Sequence, residues 1–189
     1  IFSLDDAMYK YVDNNEKPIF DFARDIRNRS KELSESGGVL KFLHNAANGT
    51  IANMYTKNKI PVTEDTLHIN ENVIAYMIAD GMYGLTGYLA YISTKWKKII
   101  SFDPIVKEEK LYGDRFYIKN KLDSKVELVD KFDDKTLIIV IGVHTHCDTD
   151  KFINRLKEKY KGCKLLMCLM PCCFLDLVIP KELTPTLIH

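Results

Sequence analysis

Nowhere in this chain do the roughly 18 consecutive apolar residues occur that a helix needs to cross a bilayer, so no membrane partner is expected. A secretory leader is also not expected, because charged and apolar side chains alternate over residues 1–10. There is no internal repeat and no low-complexity tract, which excludes solenoids and tail-like segments. An excess of one charge sign is absent too. The 27 basic and 26 acidic residues leave a formal net charge of +1, so any attraction for nucleic acid must come from a local patch rather than the whole-molecule field. Cysteine does not occur before Cys147, and the five present (Cys147, Cys163, Cys168, Cys172, Cys173) crowd into the last quarter of the chain. A secreted disulfide framework spreads an even set of cysteines through a short chain. Reduced thiols and a cytoplasmic location are therefore expected.

What is present suits one globular domain. Of 189 residues, 46% are hydrophobic and 28% charged, enough to bury a core. Residues 1–60 read as a helical N-terminal extension packed on a core formed by residues 61–189. Leu4, Met8, Tyr9 and Val12 share one helix face. Residues 19–33 and 39–55 read as two further helices, with Ser34-Glu35-Ser36-Gly37-Gly38 as the break between them. After Ile60-Pro61 the pattern alternates. Residues 73–79, 99–102, 115–118, 136–143 and 164–170 read as strands, and residues 85–93, 125–132 and 149–160 as helices. Strands that are apolar on both faces and alternate with helices predict an α/β, Rossmann-like, mostly parallel sheet with helices on both faces.

The strand–turn–helix–strand context gives the polar residues at the strand ends a chemical reading. Asp80-Gly81-Met82-Tyr83-Gly84-Leu85-Thr86-Gly87 follows the first strand. Glycines in such a turn let the backbone approach a ligand and let helix and strand pack closely. Asp103 ends the next strand, at the distance of about 20 residues where a carboxylate accepts hydrogen bonds from a ribose diol. Asp80, Gly81, Gly84 and Asp103 are thus candidates for holding an adenosine-containing cofactor.

Two further segments end the two strongest strands: Gly142-Val143-His144-Thr145-His146-Cys147-Asp148 and Met170-Pro171-Cys172-Cys173-Phe174. Their combination resembles the Trm13 and METTL25-like group of methyltransferases, whose first motif is Gly-Leu-His-x-Cys-Gly-Asp and whose second carries Pro-Cys-Cys. Gly142, His144, Asp148, Pro171, Cys172 and Cys173 match, whereas His146 and Cys147 stand where the group has Cys and Gly. The resemblance spans residues 73–174. It implies a class I methyltransferase fold, S-adenosylmethionine as cofactor and RNA ribose 2′-O-methylation. Within it, His144 and Asp148 line the acceptor site as catalytic residues, with His144 also counted among the cofactor-binding residues, and Pro171, Cys172 and Cys173 bind substrate. The chain departs from the group's Asp-x-Gly-x-Gly-x-Gly turn, having Met82 and Thr86 in place of two glycines. Only about 15 residues follow the cysteine pair, where the group's sheet adds two strands. The resemblance thus implies a sheet truncated after its fifth strand or completed by a protein partner.

RNA as substrate has a basis in the residues as well. Lys95, Lys97 and Lys98 flank Trp96, and Lys107, Lys110, Arg115, Lys119 and Lys121 follow, a basic patch able to contact phosphates. Two rival readings use the same features. One is a degenerate, non-catalytic scaffold subunit, favoured by Met82. The other is a zinc-binding α/β domain in which His144, His146, Cys147, Cys172 and Cys173 converge, although the usual C-x-x-C spacing is missing.

Overall fold

A computed structural model describes Ile26 and residues 28–47, 71–122, 125–145 and 149–170. Among the described residues there are three helices and six strands. They are helix α1 (Arg29–Ala47), strand β1 (Val73–Ile78), helix α2 (Leu85–Ser93) and strand β2 (Lys98–Phe102). Strands β3 (Lys110–Tyr112), β4 (Phe116–Lys119) and β5 (Leu137–Val143), helix α3 (Thr149–Lys159) and strand β6 (Lys164–Met170) complete them.

The six strands form one sheet in the order β3-β4-β2-β1-β5-β6. All pairings are parallel except β3 with β4. The centre is the expected continuous apolar run: all six residues of β1 are buried, because a parallel strand covered on both faces has no wet side. From β1 the chain moves outward to β2 and β4, then returns to the other side of β1 for β5 and β6. Right-handed crossovers then send successive helices to opposite faces. On one face Val73, Ala75, Met77, Ile99 and Ile139 pack with α1 and α2. On the other, Ile74, Tyr76, Ile78, Ile138 and Val140 pack with Phe152, Ile153 and Leu156 of α3.

Three sequence expectations are corrected. Ser34–Gly38 does not break a helix: α1 runs through it for 19 residues. Its buried residues explain why. Leu33, Ser36, Val39 and Leu43 are buried, and the Ser36 and Thr86 hydroxyls share a 3.0 Å hydrogen bond between α1 and α2. This docking outweighs two glycine penalties of about 1 kcal/mol each. Residues 125–132 are not helical. Their backbone groups are taken by side chains instead. The Tyr76 hydroxyl accepts from Val129 N (3.0 Å) and the Tyr160 hydroxyl donates to Val129 O (3.0 Å). Arg155 donates to Val126 O (2.8 Å). The two phenols meet at 2.5 Å. Finally, β3 was not expected. It forms a short antiparallel ribbon with β4 around Gly113, whose φ of 57° is one glycine adopts without a steric cost.

The remaining elements lie where expected, and Gly162 (φ 88°) ends α3. Helix α1 is the described part of the N-terminal extension and packs on α2, β5 and β6. The other helices expected before Pro61, and everything after Met170, lie outside the described residues. No helix among the described residues is long and apolar enough to cross a membrane.

Candidate functional site

The progression of strands reverses between β1 and β5. In open α/β sheets, ligands bind outside the carboxyl ends of the strands at such a point. Ile78 pairs with Phe102 on one side and with Gly142 on the other. One rim therefore carries Ala79 and Asp80 between Asp103 and His144, with strands about 4.8 Å apart. Two residues on this rim, Ala79 (φ 52°) and His144 (φ 56°), hold left-handed backbone conformations without being glycine. Such strain persists only where the surroundings enforce it, and it clusters at functional sites.

The glycine turn is built by two carboxylates. The Asp80 side chain accepts from Thr86 N (3.0 Å), Gly87 N (2.9 Å) and the Ser101 hydroxyl (2.6 Å). These are the second and third amides of α2, whose own N-cap, Gly84, has no side chain to offer. Burial pushes the Asp80 carboxyl above its usual range, against these hydrogen bonds and a further one from the Thr86 hydroxyl, all of which favour the ionised form. Asp80 thus acts as the remote cap of α2. Gly87 makes the close approach that the turn needs: a Cβ there would lie 2.0 Å from Ser101 Oγ and 2.6 Å from the Phe116 ring. Thr86, standing where the resembled motif has glycine, points to Ser36 on α1.

Asp103 shapes the other wall. Its Oδ2 accepts from Gly81 N (3.1 Å) and its Oδ1 from Ile105 N (2.9 Å). Each oxygen keeps one lone pair for a further donor. A Cβ added at Gly81 would meet nothing within 4 Å, so the turn is open at Gly81, while Asp103 itself is largely buried (9% exposed). Gly81 and Gly84 both have positive φ (68° and 65°), and half-exposed Met82 lies between them.

His144 closes the rim. Its backbone N–H donates to Met170 O (2.9 Å), which places it at the end of β6 as well. Its Nε2 lies 2.6 Å from Glu35 Oε2 on α1. Both side chains remain about a quarter exposed, and Lys31 approaches the other Glu35 oxygen at 3.6 Å. Sequence reading assigned Glu35 only to a presumed break. No local signal marks it, because the pair forms across 109 residues. Beside His144, Thr145 Oγ1 is fully buried and has no hydrogen-bond partner among the described residues. Gly142 makes room for it, since a Cβ there would lie 2.1 Å from that oxygen.

The structure brings Asp80, Gly81, Gly84, Asp103 and His144 to one rim. It places Lys95 and Lys97 elsewhere, at the amino end of β2 and therefore the opposite rim, about 16 Å away along a five-residue strand. Trp96, between them, is buried in the core (1% exposed) and presents no stacking face. Arg115 is likewise structural. Its guanidinium donates to the carbonyls of Tyr91, Thr94 (2.9 Å) and Trp96 (3.2 Å) and lies 4.4 Å from the Tyr91 ring centre.

Asp148, His146, Cys147, Pro171, Cys172 and Cys173 lie outside the described residues. Among the described residues no group of three or more His, Cys, Asp and Glu side chains is arranged to hold a metal. The two described cysteines are free thiols. Burial pushes Cys168 up to about 11, so at neutral pH it is an inert core thiol. Comparison with protein-family models, with curated proteins and with solved structures finds no match for this chain.

Proposed function

We propose that the chain is a Rossmann-like, S-adenosylmethionine-dependent methyltransferase domain that methylates a hydroxyl of RNA. The observation that carries this reading is the convergence, at the switch point, of an acidic strand end beside an open glycine turn with a carboxylate-bound histidine. Setting the β3 ribbon aside, the order β4-β2-β1-β5-β6 is that of the first five strands of a dinucleotide-binding sheet. The resemblance of Gly142, His144 and the Pro171-Cys172-Cys173 segment to methyltransferase motifs adds the choice of cofactor and of RNA.

The donor set fits that cofactor. Asp103 offers a free lone pair on each oxygen to a ribose diol, and the turn is open at Gly81. When bound, S-adenosylmethionine supplies an electrophilic methyl group. The chain's own residues have the remaining tasks. Asp103 and the Gly81–Gly84 turn orient the adenosine end. Glu35 at Nε2 favours the proton on that nitrogen and leaves Nδ1 with its lone pair. His144 then takes the proton from the acceptor hydroxyl as it is methylated, and Glu35 stabilises the resulting imidazolium. Helix α1 packs on β5 and β6 at this side of the rim and leaves His144 partly exposed to an acceptor.

Transfer of a labelled methyl group from S-adenosylmethionine to RNA tests the reading. His144→Ala is expected to lower the rate about 100-fold or more. A second reading, a scaffold subunit, is favoured by the commitment of Asp80 to the fold. Cofactor binding with no methyl transfer to any RNA supports that reading instead.

A further inference from the structure

The replacement of the expected helix at residues 125–132 by an irregular segment leaves part of the sheet uncovered. Between that segment and the outer face of β2 and β4 lies a half-open groove of about 810 Å³, within the range of about 300–1,000 Å³ typical of ligand sites. Its floor is Ile100, Tyr117 and Val126, the last of these fully buried. Lys97, Lys98, Lys119, Lys121 and Lys131 line it. Three acids share the lining, Asp114, Glu127 and Asp130, but Asp130 is already paired with Lys159 outside the groove. Lys119 is in turn bound to Glu109 at 3.0 Å. Lys97, Lys98 and Lys131 form no salt bridge among the described residues, and Lys121 has only a longer-range attraction to Glu109, which is already bonded to Lys119.

These lysines are distributed rather than convergent. Lys97 and Lys98 stand at the amino end of β2. Phe102, at its other end, pairs with Lys119, so Lys119 and Lys121 stand about 13 Å or more further along. A single phosphate needs donors aimed at one point, whereas a row of ammonium groups beside an apolar floor fits successive phosphates of a strand. The Tyr117 ring lies on that floor with the Lys98 ammonium over it, 4.4 Å from its centre, and that of Lys119 at 5.9 Å; a base stacks on the ring by taking the place of the Lys98 ammonium, which is then free to meet a phosphate. The upper end of the row, at Lys121, reaches the carboxyl rim that carries Asp103.

We infer that this groove binds single-stranded nucleic acid, its phosphates along the lysines and a base against Tyr117. This deepens the reading of an RNA acceptor by giving the strand a path. Binding here is measured without methyl transfer, so the two claims fail separately.

The test is fluorescence anisotropy of the full chain with a labelled ten-nucleotide oligouridylate across a salt series. Single-strand contacts give a slope of about −0.7 per phosphate in log affinity against log salt. Lys98→Gln, Lys121→Gln and Lys131→Gln combined are expected to weaken binding at least tenfold and to flatten the slope by about 2. Tyr117→Leu keeps the floor apolar and is expected to weaken binding about tenfold. Thermal unfolding and S-adenosylmethionine titration check that both variants remain folded with an intact rim. Unchanged oligonucleotide affinity in the folded triple-lysine variant overturns the inference. So does a loss in that variant matched by equal loss of dextran sulfate binding, with Tyr117→Leu unaltered, since that pattern is generic polyanion attraction. Absence of any oligonucleotide binding while cofactor binds overturns it and leaves the methyltransferase reading standing.

Discussion

At the scale of single residues, the site depends on carboxylates with different tasks. Asp80 caps α2, Asp103 ties the glycine turn to the end of β2, and Glu35 meets His144 and Lys31. Asp80 and Asp103 both read as cofactor ligands in the sequence because spacing alone does not tell a cap from a ligand. Their hydrogen bonds differ: Asp80 accepts from the Ser101 and Thr86 hydroxyls and from the Thr86 and Gly87 amides, whereas Asp103 accepts two, each leaving a lone pair. The role given to Glu35 makes a kinetic prediction. Glu35→Gln should lower kcat for RNA methylation about 10- to 100-fold, with KM within about twofold, and Glu35→Asp should restore part of the loss. A rise in KM with kcat unchanged would mean that Glu35 only helps to bind substrate. Gly87→Ala should destabilise the protein by roughly 1–3 kcal/mol, measured by urea unfolding, because its Cβ would strike Ser101 and Phe116.

Among elements, strands were the most legible. The runs at 73–79, 136–143 and 164–170 are long, apolar and β-branched or leucine-rich, and each became a strand. Helix α1 and the segment at 125–132 were misread for opposite physical reasons. In α1, tertiary burial of Leu33, Val39 and Leu43 overrode two glycines. At 125–132, helical spacing lost to side-chain hydrogen bonds from Tyr76, Tyr160 and Arg155, partners 29 to 53 residues away. Gly38 is exposed and nothing lies within 4 Å of an added Cβ. Gly38→Ala should therefore raise unfolding stability by about 0.5–1 kcal/mol; a decrease would argue against a continuous α1. Tyr160→Phe leaves Val129 O and the Tyr76 hydroxyl short of a partner and should cost about 1–3 kcal/mol. Hydrogen exchange at Val126 and Val129 should rise in that variant, whereas unchanged exchange would show that the segment is held otherwise.

For the whole molecule, the pH dependence of stability follows from where its carboxylates sit. Hydrogen bonds from Asn72 and Thr136 hold the Asp133 carboxyl below its usual range, and the hydrogen bond from Lys119 does the same for Glu109. For both, the folded value lies below the unfolded one. Their contributions are present above the ordinary carboxylate range and are lost as pH falls through the lowered folded values. Asp80 has the opposite sign: its raised value favours the protonated fold and subtracts stability as pH rises through it. Thermal unfolding should show a falling Tm below about pH 4, and Asp133→Asn should flatten that limb. A Tm that rises on acidification would mean that Asp80 dominates the balance.

The central claim, a cofactor site at the switch point between β1 and β5, is tested most directly by calorimetric titration of the purified chain with S-adenosylmethionine and S-adenosylhomocysteine, alongside Asp103→Ala. The account predicts micromolar binding of both ligands that Asp103→Ala abolishes while the fold, followed by circular dichroism, persists. No binding by the folded chain, or binding that Asp103→Ala leaves intact, would contradict it.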